Sequence, residues 1–239
     1  MTLASRPLIV VPTYNEVDNV DELLAGIAEH APFAEVLFVD DSSQDGTVER
    51  IRHHQSFREG RIHLLLRPGK QGLGTAYVAG FRWALKRSYD AVQQMDADLS
   101  HNPADLPRTL DFPEDRFVVI GSRYVPGGST VNWGPSRKLI SSFGNVYART
   151  ILRFPVRDLT GGFNAWRREV LEAVPLEEIR SEGYAFQIEM KYRAAHAGFA
   201  LHEIPIVFVD RRVGQSKMSW RVALEAMLRV WALRSGGGA

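Results

Sequence analysis

The stretch "DAVQQMDADLSHNP" (Asp90–Pro103) runs from a short apolar segment into two carboxylates one residue apart, Asp96 and Asp98, and then into a turn. Apolar runs of strand length bounded by turn residues recur through the first half of the chain: "PLIVVP", "EVLFVDD", "IHLLLRP" and "RFVVIGSR". Helical patterns alternate with them. Asn19–His30 sets Val20, Leu23, Leu24 and Ile27 at i, i+3, i+4 and i+7. Gly74–Arg87 gathers Ala76, Ala79, Gly80 and Trp83 on one face, with Lys86 and Arg87 in its last turn. This alternation predicts an α/β fold: a doubly wound, mostly parallel sheet with helices on both faces, residues 1–125 forming one such unit.

The chain has 239 residues, 45% of them hydrophobic, enough for a sizeable core. Its net charge of +1 conceals an asymmetry. Residues 1–120 hold 12 Lys/Arg against 18 Asp/Glu, whereas residues 121–239 hold 17 against 10. One reading is an acidic half that holds a divalent cation facing a basic half that holds phosphates; scattered solvated charge is the other. With no cysteine, a disulfide framework and a thiolate metal site are excluded, and a cytoplasmic setting is expected. The N-terminal apolar stretch Pro7–Val11 is too short for a secretory leader, and no window of about 18 residues is free of charge, so no transmembrane helix is expected.

Beyond Arg123 the texture changes. "VPGGSTVNWGPSR" reads as a mobile functional loop, Lys138–Phe154 as a helix, "DLTGGFNAWRREVLEAV" as a further helix and "ALHEIPIVFVDRR" as a last strand. A single domain over residues 1–239 is expected, with a variable C-terminal part.

In an open parallel sheet, ligands sit beyond the carboxyl ends of the strands. Three polar signatures fall there: "PTYNE", "DDSSQDG" and "DADLS". A D-x-D pair offers hard oxygens to Mg²⁺ or Mn²⁺, and through the cation to a diphosphate. The alternative for Asp96 and Asp98 is to cap the helix after Pro103, with Ser100 as a further cap and His101 a solvated side chain. Arg123, Arg211, Arg212 and Lys217 are candidate phosphate contacts, with solvated loop charge as the alternative, and Lys70 is a further basic neighbour. The glycines of "GLG" (Gly72–Gly74) make only half of a dinucleotide fingerprint.

Taken in order, "VPTYNE", "VDDSSQDGT", "GLGTAYVAGF", "MDADLSHNP", "GSRYVPGG", "SRKLIS", "DLTGGF" and "GQSKM" resemble polyprenol-phosphate (dolichol-phosphate) mannose synthases. These are inverting enzymes of the GT-A fold in glycosyltransferase family 2. The resemblance covers about residues 8–220 and implies that GDP-mannose donates its sugar to a polyprenyl monophosphate. It places Pro12, Tyr14, Glu16, Val39, Asp40 and Asp41 at the nucleotide, with residues 1–125 as the nucleotide-binding part and 126–217 as the acceptor side. Asp96 and Asp98 would hold the cation, with Ala97 against the ribose and Ser100 an open third ligand. Arg123, Arg211 and Lys217 would meet phosphates, Arg137 would stand on the acceptor side, and Asp98, Arg123 and Arg137 would carry the catalytic step. UDP-glucose as donor and a non-catalytic nucleotide-binding protein are the rival readings; no nucleic-acid partner is expected.

Two segments are candidates for lipid contact. Val125–Pro135, which carries Trp133 between small residues, could close over the donor or guide the polyprenyl chain. Residues 218–234 put Trp220, Leu224, Met227, Leu228 and Trp231 on one helical face and Arg221, Glu225 and Arg229 on another, a pattern for peripheral attachment at the cytoplasmic membrane face or for ordinary packing on the domain.

Overall fold

The computed structural model describes residues 2–179, 181–210 and 220–235, with backbone alone for Thr2 and residues 220–226. Seven strands form one sheet: β1 (Pro7–Thr13), β2 (Glu35–Asp40), β3 (Ile62–Leu66), β4 (Ala91–Gln94), β5 (Val118–Ser122), β6 (Asn164–Arg167) and β7 (Leu201–Pro205). Their spatial order is β7-β5-β6-β4-β1-β2-β3. Every pairing is parallel except those of β6, which runs antiparallel to both neighbours, with Trp166 opposite Val92 on one side and Val118 on the other. The sheet therefore draws strands from both sides of residue 125.

The continuous apolar run of β1 follows from covering both faces. Leu8 and Val10 pack into one core with Leu37, Val39, Tyr77, Phe81 and Trp166. Ile9 and Val11 point the other way, to Phe38 and the Leu23, Leu24 and Ile27 stripe of α1 (Val20–His30). The first core lies beneath α3 (Leu73–Leu85), α4 (Pro135–Leu152), α5 (Arg168–Ala173), α6 (Gly183–His196) and α7 (Trp220–Arg234); α2 (Thr47–His53) packs beside α1. Among the described residues, no helix is long and apolar enough to cross a membrane.

Three expectations change. Asn164–Arg167, assigned to a helix, is β6: at four residues its pattern is too short to separate from the helix that follows. The last strand is two, because β7 ends at Pro205 and Val207–Val209 leaves the main sheet to pair in parallel with Ser129–Val131. That pairing lies inside the segment read as a mobile loop, and Trp133 beside it is only 7% exposed. In α7, Val230 and Leu233 face the core while Leu228 and Trp231 face outward; the Trp220 and Leu224 side chains lie outside the described residues.

Gly80 marks a close approach of α3 to the sheet, since a Cβ there would sit 2.5 Å from a Val10 methyl. Gly80→Ala gains up to about 1 kcal/mol of helix propensity but overpacks a stiff β-branched neighbour at a cost of about 1–3 kcal/mol. A lower urea midpoint is the expected result; a raised one would contradict the close packing.

Candidate active site

Asp96 and Asp98 sit just beyond the carboxyl end of β4, both half-buried, in a turn closed by Leu99 at φ 59°. Each is oriented by a neighbour. The Tyr77 hydroxyl, on α3, donates to Asp96 Oδ1 at 2.9 Å. Burial first, and then the Asp96 charge, push the Tyr77 hydroxyl well above its ordinary range, so it remains a proton donor. Asp98 Oδ1 accepts from the Ser100 hydroxyl at 2.5 Å and from its backbone N–H at 3.2 Å. The cap of the following turn is Asn102, whose Oδ1 accepts from Ala104 N at 3.0 Å. The capping role considered for the two acids thus belongs to another residue.

His101 is buried rather than solvated. It stacks on Phe163 at 4.9 Å, meets Phe208 edge-on at 5.3 Å, and accepts at Nδ1 from the Asp96 N–H at 3.3 Å. Burial lowers its pKa despite the opposing pull of Asp96 and Asp98, which fits a neutral ring with its proton on Nε2. Ala97 is buried against the second core.

The acids after β2 have structural partners. Asp40 accepts from Thr13 Oγ1 (2.8 Å), Ser43 N (2.8 Å) and Ser43 Oγ (2.6 Å), so it ties the ends of β1 and β2 together. Asp41 accepts from Arg67 Nε at 2.6 Å and from Gln71 N at 3.1 Å, while Arg67 also reaches Thr75 and the Gly72 carbonyl. The Val39 side chain is enclosed in the core, so its part in a pocket would fall to its backbone. Pro12 and Tyr14 are half-buried at the same edge, Lys70 lies over the Tyr14 ring at 4.4 Å, and Glu16 accepts from Asn19 at 2.8 Å.

Arg123, expected on a phosphate, is engaged internally. Its Nε and Nη2 form a fork onto Asp158, both at 2.7 Å, and Nη2 also reaches Thr160 Oγ1 at 2.9 Å. Burial alone would raise the Asp158 pKa and lower that of Arg123; each partner's charge overrides this and shifts both in the opposite direction. Arg137 donates to Asp210 at 2.6 Å and lies over the Trp133 ring at 4.3 Å. Arg211 and Lys217 lie outside the described residues.

The "DLTGGF" loop reaches the same centre: a Cβ on Gly162 would stand 3.8 Å from Asp96 Oδ2 and 3.4 Å from Gln187 Nε2. Tyr77, Arg67, Asp158 and Gln187 were not singled out from the sequence, although Tyr77 and Asp158 lie within quoted motifs. Their signal was a polar group inside a segment otherwise read as packing.

A sheet of this order, with a carboxylate pair at its carboxyl edge, Asp96 oriented from "GLGTAY" and approached by "DLTGGF", is the architecture this chain shares with glycosyltransferases of the GT-A fold. The profile described as Glycosyl transferase family 2 matches residues 8–174. The chain is 44% identical over 230 residues to an undecaprenyl-phosphate mannosyltransferase of Micrococcus luteus, covering 95% of this chain and 94% of that protein. It is 44% identical over 233 residues to a polyprenol monophosphomannose synthase of Mycolicibacterium smegmatis, covering 96% and 88%. Among solved structures, glucosyl-3-phosphoglycerate synthase of Mycobacterium tuberculosis, in complex with phosphoglyceric acid, superposes with a TM-score of 0.68 at 18% identity over 97% of this chain and 80% of that one. The same enzyme with Mn²⁺, uridine diphosphate and phosphoglyceric acid gives 0.68 over 97% and 79%. The chain belongs to glycosyltransferase family 2.

Asp158→Asn leaves a buried guanidinium short of its charge partner, and a loss of about 3–5 kcal/mol in denaturant unfolding is expected. Because Asp158 is held below its ordinary value of about 3.9, the pair's contribution is full above that pH and is lost as pH falls through the lower folded value. The difference between wild type and variant should therefore shrink as the solution is taken into acid.

Proposed function

We propose that the enzyme transfers mannose from GDP-mannose to a polyprenyl monophosphate, with inversion, giving β-linked polyprenyl phosphate mannose and GDP. The observation that carries this reading is the 44% identity, over nearly the whole chain, to two proteins named for polyprenyl-phosphate mannosyl transfer. An apolar groove beside the candidate site supports a lipid acceptor. Ile140, Phe143, Tyr147, Ile188, Met227 and Val230 line it, and Thr160, which meets Arg123, stands in its wall. Isoprene units match such a lining.

The chemistry asks little of a general base. A phosphate monoester is already ionised near neutral pH, so its oxygen needs orientation and partial desolvation. That oxygen bonds to the sugar's C1 from the face opposite the nucleotide, while the C1–oxygen bond to GDP breaks and its electron pair leaves with the diphosphate. Asp96 and Asp98 fit a hard divalent cation, Mn²⁺ or Mg²⁺, because both offer carboxylate oxygens already oriented by Tyr77 and Ser100. When bound, the cation supplies positive charge against the departing diphosphate. Pro12, Tyr14, Glu16 and the Asp41–Arg67 corner form the nucleotide side in this reading; Arg137, Arg211 and Lys217 serve phosphates, and Arg123 orders the loop beside them.

The lipid reaches the enzyme at a surface. On α4, Leu139 is 72%, Phe143 62%, Val146 57% and Ile140 50% exposed, with Leu228 and Trp231 of α7 exposed nearby. Lys138 precedes this stripe, and Arg149 and Arg153 follow it. Apolar residues between cations suit peripheral attachment at the cytoplasmic face of an anionic membrane. Leu139→Ser combined with Phe143→Ser should reduce flotation with anionic liposomes; unchanged flotation removes α4 from the contact.

The deciding assay supplies labelled GDP-mannose or UDP-glucose, with and without polyprenyl phosphate and Mn²⁺. Label in the organic phase only with GDP-mannose and lipid is expected; label only from UDP-glucose would replace the donor. Asp98→Ala should lower turnover by about 3 kcal/mol of transition-state stabilisation, on the order of 100-fold.

A further inference from the structure

Lys191 on α6 has no exposed surface, an unusual position for a lysine. All of its hydrogen bonds go to one loop: Nζ donates to the carbonyls of Asp158 (3.1 Å), Leu159 (3.1 Å) and Gly161 (2.8 Å). The N–H groups of the same loop are held just as fully. Asp158 N donates to Glu203 Oε1 at 2.9 Å, and Gly161 N donates to the Asp158 carboxylate at 2.9 Å. Leu159 N and Thr160 N both donate to Asn145 Oδ1, at 2.8 and 3.2 Å. Side chains from α4, α6 and β7 thus satisfy a buried backbone that has no ladder of its own here.

What this loop touches gives the anchor a consequence. Asp158 holds Arg123 at one end, Gly162 abuts Asp96 at the other, and Thr160 between them stands in the wall of the apolar groove. We propose that Lys191 is a positioning residue for sugar transfer: its ammonium sets the seat of the Asp158–Gly162 loop against Asp96 and against the groove, and so the relative placement of donor and acceptor. The proposal rests on the transferase reading above. Nothing about Lys191 requires it to touch either substrate.

The anchor depends on charge state as well as on geometry. An ammonium has three protons for three carbonyls, whereas a neutral amine has two. The charged groups facing Lys191 are Asp158, Arg123 and Glu203. Burial pulls its pKa down to about 7, with Asp158 opposing that fall and Arg123 adding to it. The three-point anchor is therefore complete below about pH 7, and one carbonyl loses its donor as pH rises through that value.

The test combines backbone hydrogen exchange with kinetics, on the full chain and on Lys191→Met, which keeps the stem and removes the ammonium. At about pH 6 and about pH 8, after correction for intrinsic rates, wild-type amides of residues 159–161 should lose roughly 10-fold in protection while those of β1 stay unchanged. Lys191→Met should be unprotected in that loop at both pH values. Its kcat should fall roughly 10- to 100-fold, the scale of a small misplacement at a reacting centre, with a smaller change in donor KM and a deficit larger at pH 6 than at pH 8. A variant with wild-type kcat, or one whose loss merely tracks its unfolded fraction at both pH values, overturns the positioning role. Should Lys191→Met not fold, pH-independent loop protection in the wild type overturns it. A wild-type chain that shows the pH-dependent loop but transfers no sugar overturns the transferase reading instead.

Discussion

The buried fork between Arg123 and Asp158 joins the end of β5 to the loop that leads into β6, and the site is assembled around that joint. Two charges removed from water are costly, and their attraction offsets the cost only where geometry is good and the remaining hydrogen-bonding capacity is used. Both conditions hold. Asp158 takes two guanidinium bonds and two backbone N–H groups, and Arg123 also reaches Thr160. Aromatic rings of Tyr124, Trp133 and Phe208 surround the guanidinium. A cation that sequence alone assigns to a ligand is here a rivet between two segments, and what it rivets lies against Asp96.

The carboxylate pair shows a related division of labour. Asp96 and Asp98 are each aimed by a hydroxyl, and the rigidity of those hydroxyls comes from deep packing: Tyr77 is enclosed in the core, and Ser100 is buried beside Asp98. Preorganised oxygens at a strand end can receive a cation without rearrangement, which is where such sites gain over water. The acids after β2 work differently, because Asp40 and Asp41 use their oxygens to brace the turn that follows β2.

Much of the sheet was legible because β1, β2 and β5 are apolar runs buried on both faces, a signal that survives without tertiary information. The helical stripe of α1 emerged residue for residue, from Val20 to Ile27. What escaped was whatever depends on a partner far along the chain. β6 is four residues long, and its place is set by pairing with strands about 45 and 75 positions earlier. His101 looks polar and loop-borne until Phe163 and Phe208 close around it. Arg123 resembles any phosphate-binding arginine until Asp158 arrives. The "MDADLS" acids were legible as a pair, and the hydroxyl that aims each of them required the fold.

The reversed direction of β6 has a consequence for how the chain must be made. The first 125 residues contain β1 to β5, yet β4 and β5 are not neighbours: the space between them is filled only when β6 is supplied, some forty residues later. Until then both strands present unpaired edges, the feature that invites association with other chains. What reads as a self-contained nucleotide-binding half is thus an open sheet with a missing centre, and a fragment ending near residue 125 would be sticky rather than autonomous. Synthesis has to proceed past Arg167 before that gap can close, and the loop entering the same strand brings "DLTGGF" to the acids, so filling the gap and bringing that loop to the site are one event.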